Sequence, residues 1–290
     1  SWEQAVASKI TPETLLVGVS VMTGTPIRNA LEVSRWVKAN HPSLPVVWGG
    51  PHASFNAEEI LIEPAVDFAV SGYGSKPLQQ LAAFLAGEPG VAVANIEGLT
   101  WREGEKVRTN PPEAAFETVN FRDIPYDLVA EDLSRYGQLD SDQRIFSMYC
   151  LMGCPYNCAF CSSPALYRHM KTKMALLPPA EVVDHIQYVH EKYGATYIYF
   201  IDDDSFVKLD HVEAIIDEIA RRGIRVRLGF RGARVNEIKK MTDAYLSKLA
   251  GAGTNILHIG AESGSQRILD MVRKNCTVED IVEINRKLAG

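Results

Sequence analysis

The chain has 290 residues, of which 46% are hydrophobic and 23% are charged. These values are typical of an ordinary globular protein with room for one large or two medium domains. The net charge of -6 argues against a nucleic-acid partner, because it offers no excess of cations to neutralise a row of phosphates. No apolar stretch approaches the roughly 20 residues that cross a bilayer, so no membrane span is expected.

Cysteine content and the first residues predict the compartment. The chain has five cysteines, three of them in one short run, as is usual for proteins of a reducing compartment. The opening residues Ser1 to Gln4 show neither the basic nor the apolar region of a signal peptide. We therefore expect a cytoplasmic protein.

The first part of the chain alternates short apolar runs with helical patterns, which predicts βαβ units and a parallel sheet. Ligands of such sheets bind at the carboxyl ends of the strands. No G-x-G-x-x-G follows a strand, so a nicotinamide or flavin site is poorly supported. Strands are predicted over residues 15–21, 46–50 and 66–70, and helices over 27–39, 58–62 and 77–85.

Several polar and glycine residues fall at these strand ends, namely Ser20, Gly49, Gly50, His52 and the run Gly72-Tyr73-Gly74. The glycines either line a ligand site or only permit tight turns. A lone histidine after a strand is either a ligand contact or a polar loop residue. Spacing alone does not choose between these interpretations.

Residues 91–143 are predicted to be a connector. A small hairpin is expected near Ile96 to Val107, and a proline-fixed turn near Ile124 to Leu128. Proline and polar residues are typical of segments that join two domains. The connector separates a first domain, residues 1–90, from a last domain, residues 144–290.

The last domain shows four apolar strands, each followed by an amphipathic helical pattern, as in a β/α barrel. Catalytic groups of such barrels lie at the carboxyl ends of the strands. The strands are predicted over residues 145–150, 196–201, 225–231 and 255–260.

Cys154, Cys158 and Cys161 form a C-x3-C-x2-C run directly after the first barrel strand. Three thiols this close cannot all pair as disulfides, but they can converge on one iron–sulfur cluster. Three ligands to a cube of four irons leave one iron open to an exogenous ligand. A structural zinc site would need a fourth ligand such as Cys150 or His169, and a redox C-x2-C pair leaves the third cysteine unexplained.

The other two cysteines, Cys150 and Cys276, are interpreted as structural residues. Cys150 lies within a predicted strand, where a buried small hydrophobe is expected. Cys276 is interpreted as a packing or surface residue.

The triplet, with Phe160 before its last cysteine, resembles the cluster motif of radical S-adenosylmethionine (SAM) enzymes. The run from Gly260 to Ser265 closely resembles their fourth-strand signature. Residues 18–24 and 48–54 resemble the later half of cobalamin-binding domains. Together these motifs resemble the B12-binding-domain radical SAM family, although the D-x-H-x-x-G loop of some cobalamin proteins is absent.

The resemblance implies an α/β fold: a partial doubly wound cobalamin-binding-like domain followed by a partial (β/α)6 barrel. Residues 15–70 supply three of about five sheet strands, and residues 145–289 supply four of six barrel units. Both ends are therefore expected to be incomplete, so the chain would be a fragment or would be completed by another chain. As an isolated monomer it is expected to bind cobalamin weakly or not at all.

The resemblance also implies ligand contacts. Cys154, Cys158 and Cys161 would hold a [4Fe-4S] cluster whose open iron is chelated by SAM. The cobalamin pocket would be lined by Ser20, Gly49, Gly50, His52 and Gly72. The SAM site would be formed by Phe160, Asp202, Asp203, Arg231, Arg234, Glu262 and Ser263.

Alternatives remain for several of these polar residues. Asp204 either reaches the cavity with its neighbours or caps the next helix. For either arginine, a surface salt bridge is the competing interpretation.

The implied activity is reductive cleavage of SAM to a 5′-deoxyadenosyl radical, with cobalamin-dependent methylation of an unactivated carbon of a small-molecule substrate. Oxidative ring closure, as in the anaerobic magnesium-protoporphyrin ester cyclases, is the alternative within the family. An external electron donor such as flavodoxin or ferredoxin is implied, and no side chain is expected to act as a catalytic nucleophile. An iron–sulfur electron carrier or sensor, with Cys150 as fourth ligand, is the alternative of another class.

Overall fold

The computed structural model describes residues 1–136 and 143–289. The chain divides into two compact units. The first contains residues 1–117 and 168–171, and the second contains the described residues of 118–167 and from 172 onward.

The first unit is an α/β layer around one five-stranded sheet. The strand order is β1-β2-β3-β4-β5, in which β1 to β3 are parallel and β4 and β5 are added antiparallel. Its elements are α1 (Trp2–Ala7), β1 (Val17–Ser20), α2 (Pro26–Asn40), β2 (Val46–Gly49), α3 (Pro51–Ile60), β3 (Phe68–Val70), α4 (Ser75–Leu85), β4 (Leu99–Glu103) and β5 (Lys106–Thr109).

The central strand β2 is buried on both faces, as expected of a parallel strand between helical layers. Val46 and Trp48 pack in one apolar cluster, and Val47 packs in the cluster on the other face. Trp48 also donates its indole N–H to the Ser34 hydroxyl at 2.8 Å. This bond ties the strand to α2 and leaves no buried indole donor unpaired.

Two elements of the first unit differ from the predicted ones. Helix α3 begins at Pro51, not at residue 58, because Gly50 turns the chain with φ 86° and Pro51 then occupies the first helical turn. The hairpin predicted within the connector is present as β4 and β5, but β4 pairs with β3 and so extends the sheet.

The turn before β4 requires glycine. Gly98 has φ +71°, and a Cβ added there would lie 2.4 Å from the Ser71 carbonyl oxygen. The Ser71 N–H donates to the Gly98 carbonyl at 2.9 Å, so the two backbones approach directly. Only a residue without a side chain permits this contact.

The second unit is built on a four-stranded parallel sheet in the order β11-β10-β9-β6. A separate antiparallel pair, β7 and β8, flanks the cysteine segment. The strands are β6 (Ile145–Met148), β7 (Leu151–Gly153), β8 (Met174–Leu176), β9 (Tyr197–Phe200), β10 (Arg227–Arg234) and β11 (Thr254–Gly260). The helices are α5 (Ser163–Leu166), α6 (Pro179–Tyr193), α7 (Leu209–Arg221), α8 (Val235–Lys240), α9 (Asp243–Gly251), α10 (Gln266–Met271) and α11 (Val278–Ala289). Short 3-10 segments cover Val93–Asn95 in the first unit and Phe121–Asp123 and Tyr126–Tyr136 in the second.

The four parallel strands confirm the four predicted β/α units, whereas the β7–β8 pair was not predicted. One face of the sheet packs on the helices through residues such as Ile198, Phe200 and Phe230. Because side chains alternate along a strand, Tyr199 and Arg231 project from the opposite face. Tyr199 is half-buried there and Arg231 is exposed. Along the described residues, no helix is long and apolar enough to cross a membrane.

Candidate active site

The three clustered cysteines lie on the loop that leaves β7. Gly153 ends this strand with φ +82°, and Cys154 follows at once. The loop is closed by a hydrogen bond from the Cys161 N–H to the Cys158 carbonyl at 3.1 Å. It is attached to the end of α10 by a second bond, from the Ala159 N–H to the Val272 carbonyl at 3.0 Å. The loop is therefore held from within and from the neighbouring helix.

All three cysteines are free thiols, with Cys158 buried, Cys154 half-buried and Cys161 exposed. The Ser163 N–H donates to the Cys161 sulfur at 3.4 Å, and the Arg234 guanidinium donates to the Cys158 sulfur at 3.1 Å. Donors directed at sulfur stabilise thiolates, which are the form that binds metal. The loop thus fits a thiolate-bound cluster.

Burial raises the pKa of the Cys154 thiol to about 11. This residue is protonated at neutral pH, and the charge of a bound metal would be needed to ionise it. Across residues 1–136 and 143–289, no three His, Cys, Asp or Glu side chains are gathered closely enough to hold a single metal ion. In a cubane each thiolate binds a different iron, so the three sulfurs need not converge on one point.

Arg234 is buried beside the cysteine loop and is not a surface residue. Its side chain is 6% exposed at the end of β10. One guanidinium nitrogen donates to the Cys158 sulfur and the other to the Lys274 carbonyl at 2.6 Å. The guanidinium carbon lies 3.8 Å from the centre of the Tyr156 ring. The predicted alternative of a surface salt bridge is therefore wrong for Arg234.

Tyr156, between the first two cysteines, connects the loop to α8. Its hydroxyl donates to the Glu237 carboxylate, whose other oxygen accepts from Lys240 at 2.7 Å. Glu237 is 2% exposed, so this anchor is shielded from water. Neither residue carries a functional signal in the sequence, because nothing in the local pattern links Tyr156 to a glutamate 81 positions away.

Asp202 holds the chain that enters the cysteine loop. One carboxylate oxygen accepts from the backbone N–H groups of Cys150 and Leu151, at 2.9 and 3.1 Å. The other accepts from the Cys150 thiol at 3.0 Å and the Ser205 hydroxyl at 2.7 Å. Asp202 is 1% exposed and its oxygens are fully engaged. This geometry contradicts a direct contact between Asp202 and SAM, and it makes Cys150 a hydrogen-bond donor as well as a core residue.

The next two aspartates differ sharply in environment. Asp203 is exposed, and its side chain makes no hydrogen bond to another described residue. Asp204 is fully buried: one oxygen accepts from the Phe206 N–H at 3.2 Å, and the other has no partner among the described residues. Burial raises the pKa of Asp204 to about 7. The helix-capping alternative for Asp204 is wrong, because α7 begins only at Leu209 with Lys208 at its cap.

The remaining predicted SAM residues lie within β10, on the cysteine loop and directly after β11. Arg231 is exposed on β10, and Phe160 is 56% exposed on the cysteine loop. Glu262 has φ 62° and accepts a hydrogen bond from the Lys274 ammonium at 2.8 Å, so its carboxylate is already paired with a cation. The Ser263 hydroxyl accepts from the Ser265 N–H at 3.1 Å. Lys274, which the sequence analysis did not single out, is 5% exposed.

In the first unit, a cavity of about 540 Å³ opens at the carboxyl ends of β1 to β3. It contains four of the five residues predicted to contact cobalamin, namely Ser20, Gly49, Gly50 and Gly72. Its position agrees with the rule for parallel α/β sheets.

His52 lies elsewhere and lines a second cavity of about 390 Å³ beside Trp48. Its Nδ1 lies 3.2 Å from the Thr23 hydroxyl and 3.2 Å from the Asn56 amide nitrogen. The early start of α3 at Pro51 carries His52 away from the first cavity. The structure thus does not bring His52 together with the other four residues.

Comparison with known proteins agrees with this geometry. A family model described as the radical SAM superfamily matches residues 148–290, and one described as a B12 binding domain matches residues 2–82. The cysteine loop and its parallel sheet are those of a radical SAM domain. The chain thus combines a B12-binding domain with a radical SAM domain, the two domains of B12-binding radical SAM proteins.

Curated relatives are similar to this chain along most of its length. An uncharacterized methyltransferase of Pyrococcus horikoshii is 27% identical over 280 residues, covering 96% of this chain and 58% of the relative. The anaerobic magnesium-protoporphyrin IX monomethyl ester cyclase of Rubrivivax gelatinosus is 25% identical over 283 residues, covering 96% of this chain and 49% of the cyclase. The chain therefore spans about half the length of the curated relatives it matches.

A solved structure shows the same fold. The radical SAM methyltransferase TsrM of Kitasatospora setae, determined with cobalamin and a [4Fe-4S] cluster bound, superposes with a TM-score of 0.72 at 20% identity. The match covers 99% of this chain and 57% of TsrM. The expected fold class, a doubly wound cobalamin-binding-like domain followed by a radical SAM barrel domain, is confirmed.

Proposed function

We propose that this protein takes part in cobalamin-dependent methylation of an unactivated carbon in a small-molecule substrate, initiated by reductive cleavage of SAM. The observation that carries the proposal is the cysteine loop, with three free thiols and donors directed at the Cys158 and Cys161 sulfurs. It lies in a chain that also has a B12-binding domain.

Cys154, Cys158 and Cys161 would hold the [4Fe-4S] cluster. When bound and reduced, the cluster supplies the electron that cleaves the sulfonium of SAM. An external one-electron donor, such as a flavodoxin or ferredoxin, would return the cluster to its reduced state. The loop's two hydrogen bonds to its own carbonyl and to Val272 would keep the three sulfurs in position.

The SAM site would use the strand-end side chains that are not engaged elsewhere. Asp203 and Arg231 are exposed, and neither side chain is hydrogen-bonded to another described residue. A carboxylate suits the ammonium of SAM and a guanidinium suits its carboxylate. Phe160 and Ser263 remain proposed contacts, whereas Glu262 would act through Lys274, with which it is paired.

The cobalamin site would be the cavity at the ends of β1 to β3. Gly49 lines this cavity, and a Cβ added to Gly49 would meet no atom within 4 Å. Ser20, Gly50 and Gly72 would complete this side of the site. A cytoplasmic location, as expected from the cysteine content, is part of the same proposal.

Oxidative ring closure is the second proposed function, since the Rubrivivax cyclase is similar along 96% of this chain. An electron carrier or sensor stays as a third alternative that the same experiment tests. These three functions use SAM differently. A methyltransferase transfers the methyl group of SAM to cobalamin. A cyclase consumes SAM without that transfer, and an electron carrier leaves SAM intact.

The test is anaerobic reconstitution with iron, sulfide and excess hydroxocobalamin, which offsets the weak cobalamin binding expected of the isolated chain, followed by reduction and addition of methyl-labelled SAM. We expect one [4Fe-4S] cluster per chain, a change in its paramagnetic resonance spectrum on adding SAM, and labelled methylcobalamin. Formation of 5′-deoxyadenosine without labelled methylcobalamin would favour the cyclase. An unchanged spectrum and intact SAM would favour the electron carrier and overturn the proposal.

A further inference from the structure

The Arg234 guanidinium is a buried cation without a carboxylate partner. It is 6% exposed and forms no ion pair within 4.0 Å with any carboxylate of the described residues. Its hydrogen-bond acceptors are the Cys158 sulfur and the Lys274 carbonyl. The Asp204 carboxylate interacts with the guanidinium electrostatically, without a hydrogen bond between them. The Glu237 oxygens accept hydrogen bonds from Tyr156 and Lys240.

A buried charge is costly unless an opposite charge compensates it. Of the two acceptors of Arg234, only the Cys158 sulfur can become an anion. In a thiolate-bound cluster this sulfur shares the negative charge of the cluster. The unpaired guanidinium and the cluster ligand are therefore complementary, and they lie 3.1 Å apart.

The guanidinium is also fixed in position. The Tyr156 ring covers it at 3.8 Å, and the Tyr156 hydroxyl is held by the buried Glu237. Its second nitrogen is anchored to the Lys274 carbonyl at 2.6 Å. Tyr156 is half-buried, but Glu237 and Lys274, which hold the two anchoring groups, are both buried. The direction of the bond to the Cys158 sulfur therefore does not depend on a mobile surface group.

We propose that Arg234 is a positioning residue that raises the reduction potential of the cluster by donating a charge-assisted hydrogen bond to the Cys158 sulfur. This rests on the proposed function, in which the three cysteines hold the cluster. Reduction adds one negative charge, and hydrogen bonds to sulfur together with a nearby cation stabilise the reduced state. A weaker electron donor can then reduce the cluster.

The competing role for Arg234 is to bind the carboxylate of SAM. Measurements made without SAM distinguish this role from an effect on the reduction potential of the cluster. An arginine that only binds SAM changes the affinity for SAM and leaves the potential unchanged when SAM is absent. An arginine bonded to the cluster sulfur changes the potential without SAM. All measurements are therefore made in the absence of SAM.

The experiment is a potentiometric titration of the reconstituted protein, followed by paramagnetic resonance of the reduced cluster. The variants are Arg234→Met, which keeps length and removes charge and donors, and Arg234→Lys, which keeps charge. Arg227→Met, an exposed residue at the other end of β10, is the matched control.

At the midpoint potential of the unmodified protein, we expect at least a tenfold fall in the ratio of reduced to oxidised cluster in Arg234→Met. For a one-electron couple this equals a shift of about 59 mV. Arg234→Lys should show a smaller fall, and Arg227→Met none. Resonance Raman of Arg234→Met should show stiffer iron–sulfur stretching, because a hydrogen bond to sulfur has been removed.

An unchanged potential in Arg234→Met, with a full cluster present, would overturn the inference and leave the proposed function intact. The same conclusion follows if both Arg234 variants fold but hold no cluster while Arg227→Met does, because Arg234 would then serve assembly. If the unmodified protein itself assembles no cluster, the proposed function fails and the inference fails with it.

Discussion

The carboxylate of Asp202 binds Cys150 twice, through the backbone N–H at 2.9 Å and through the thiol at 3.0 Å. The two residues are 52 positions apart and both are buried. This contact joins the end of β9 to the segment between β6 and β7. It therefore positions the start of the cysteine loop.

Replacing Asp202 by alanine should destabilise the protein strongly, because it leaves the donors of Cys150, Leu151 and Ser205 unpaired in a dry site. An unsatisfied buried group costs about 1–3 kcal/mol, so we expect a loss of about 3 kcal/mol or more. Urea unfolding measures this loss in the free energy of unfolding. Asp203→Ala, at an exposed neighbour, should change stability by less than about 0.5 kcal/mol. Equal stability of the two variants would contradict this role for Asp202.

Asp203→Ala should instead weaken SAM binding to the reconstituted protein. Loss of a hydrogen bond to a charged group costs about 1.5–3 kcal/mol, or roughly ten- to a hundredfold in affinity. The measurement is titration of the reduced cluster with SAM, followed by its spectrum. Asp210→Ala, an exposed aspartate in the first turn of α7, is the control and should bind SAM normally. If both variants bind equally well, Asp203 does not contact SAM.

Asp204 should make the stability of the cluster-free protein depend on pH. Burial raises its pKa from 3.8 to about 7 in the folded state, so the folded state holds its proton more tightly than the unfolded state. Stability from this group is fully present below pH 3.8 and is lost as pH rises through about 7. The whole loss is on the order of 4 kcal/mol.

Asp204→Asn carries no charge at any pH in this window and should remove this dependence. Unfolding free energies measured at pH 5 and pH 8 should fall less in Asp204→Asn than in the unmodified protein. The bond from the Phe206 N–H can be kept by the amide oxygen. Parallel pH profiles of the two proteins would show that Asp204 does not titrate in this range.

Cys158→Ala should abolish the [4Fe-4S] cluster after reconstitution, since it removes one of the three proposed thiolate ligands. Iron and sulfide analysis and the charge-transfer absorbance of the cluster measure this loss. Cys276→Ala is a matched control, because Cys276 is also a buried free cysteine but lies outside the triplet. A full cluster in Cys158→Ala, or its loss in Cys276→Ala, would refute the ligand assignment.

Gly49→Leu should block cobalamin without unfolding the first unit. A Cβ at Gly49 meets no atom within 4 Å, so the new side chain would extend into the cavity of about 540 Å³. Corrin content after reconstitution should fall severalfold, while the unfolding midpoint stays close to that of the unmodified protein. Gly251→Leu, also in open space but in α9, is the control and should retain corrin. Normal corrin content in Gly49→Leu would place the cobalamin elsewhere.

Elements with local signals can be predicted from the sequence. The cysteine spacing and the four barrel strands follow from short motifs and from the periodicity of apolar residues, and these need no distant partner. Prediction failed where a local signal was ambiguous. The pattern predicts a strand end at residue 50 and a helix only from residue 58, whereas Gly50 and Pro51 begin α3 and carry His52 away from the predicted cavity.

The roles of similar neighbouring residues depend on the folded packing. Asp202, Asp203 and Asp204 are adjacent, yet one binds Cys150, one is exposed and one is buried with an unpartnered oxygen. Arg231 and Arg234 share a strand, but only Arg234 reaches the Cys158 sulfur, 76 positions away. Burial and hydrogen-bond partners are set by which segments the fold brings together. Residue type and local spacing therefore predict the kind of site, and packing assigns its members.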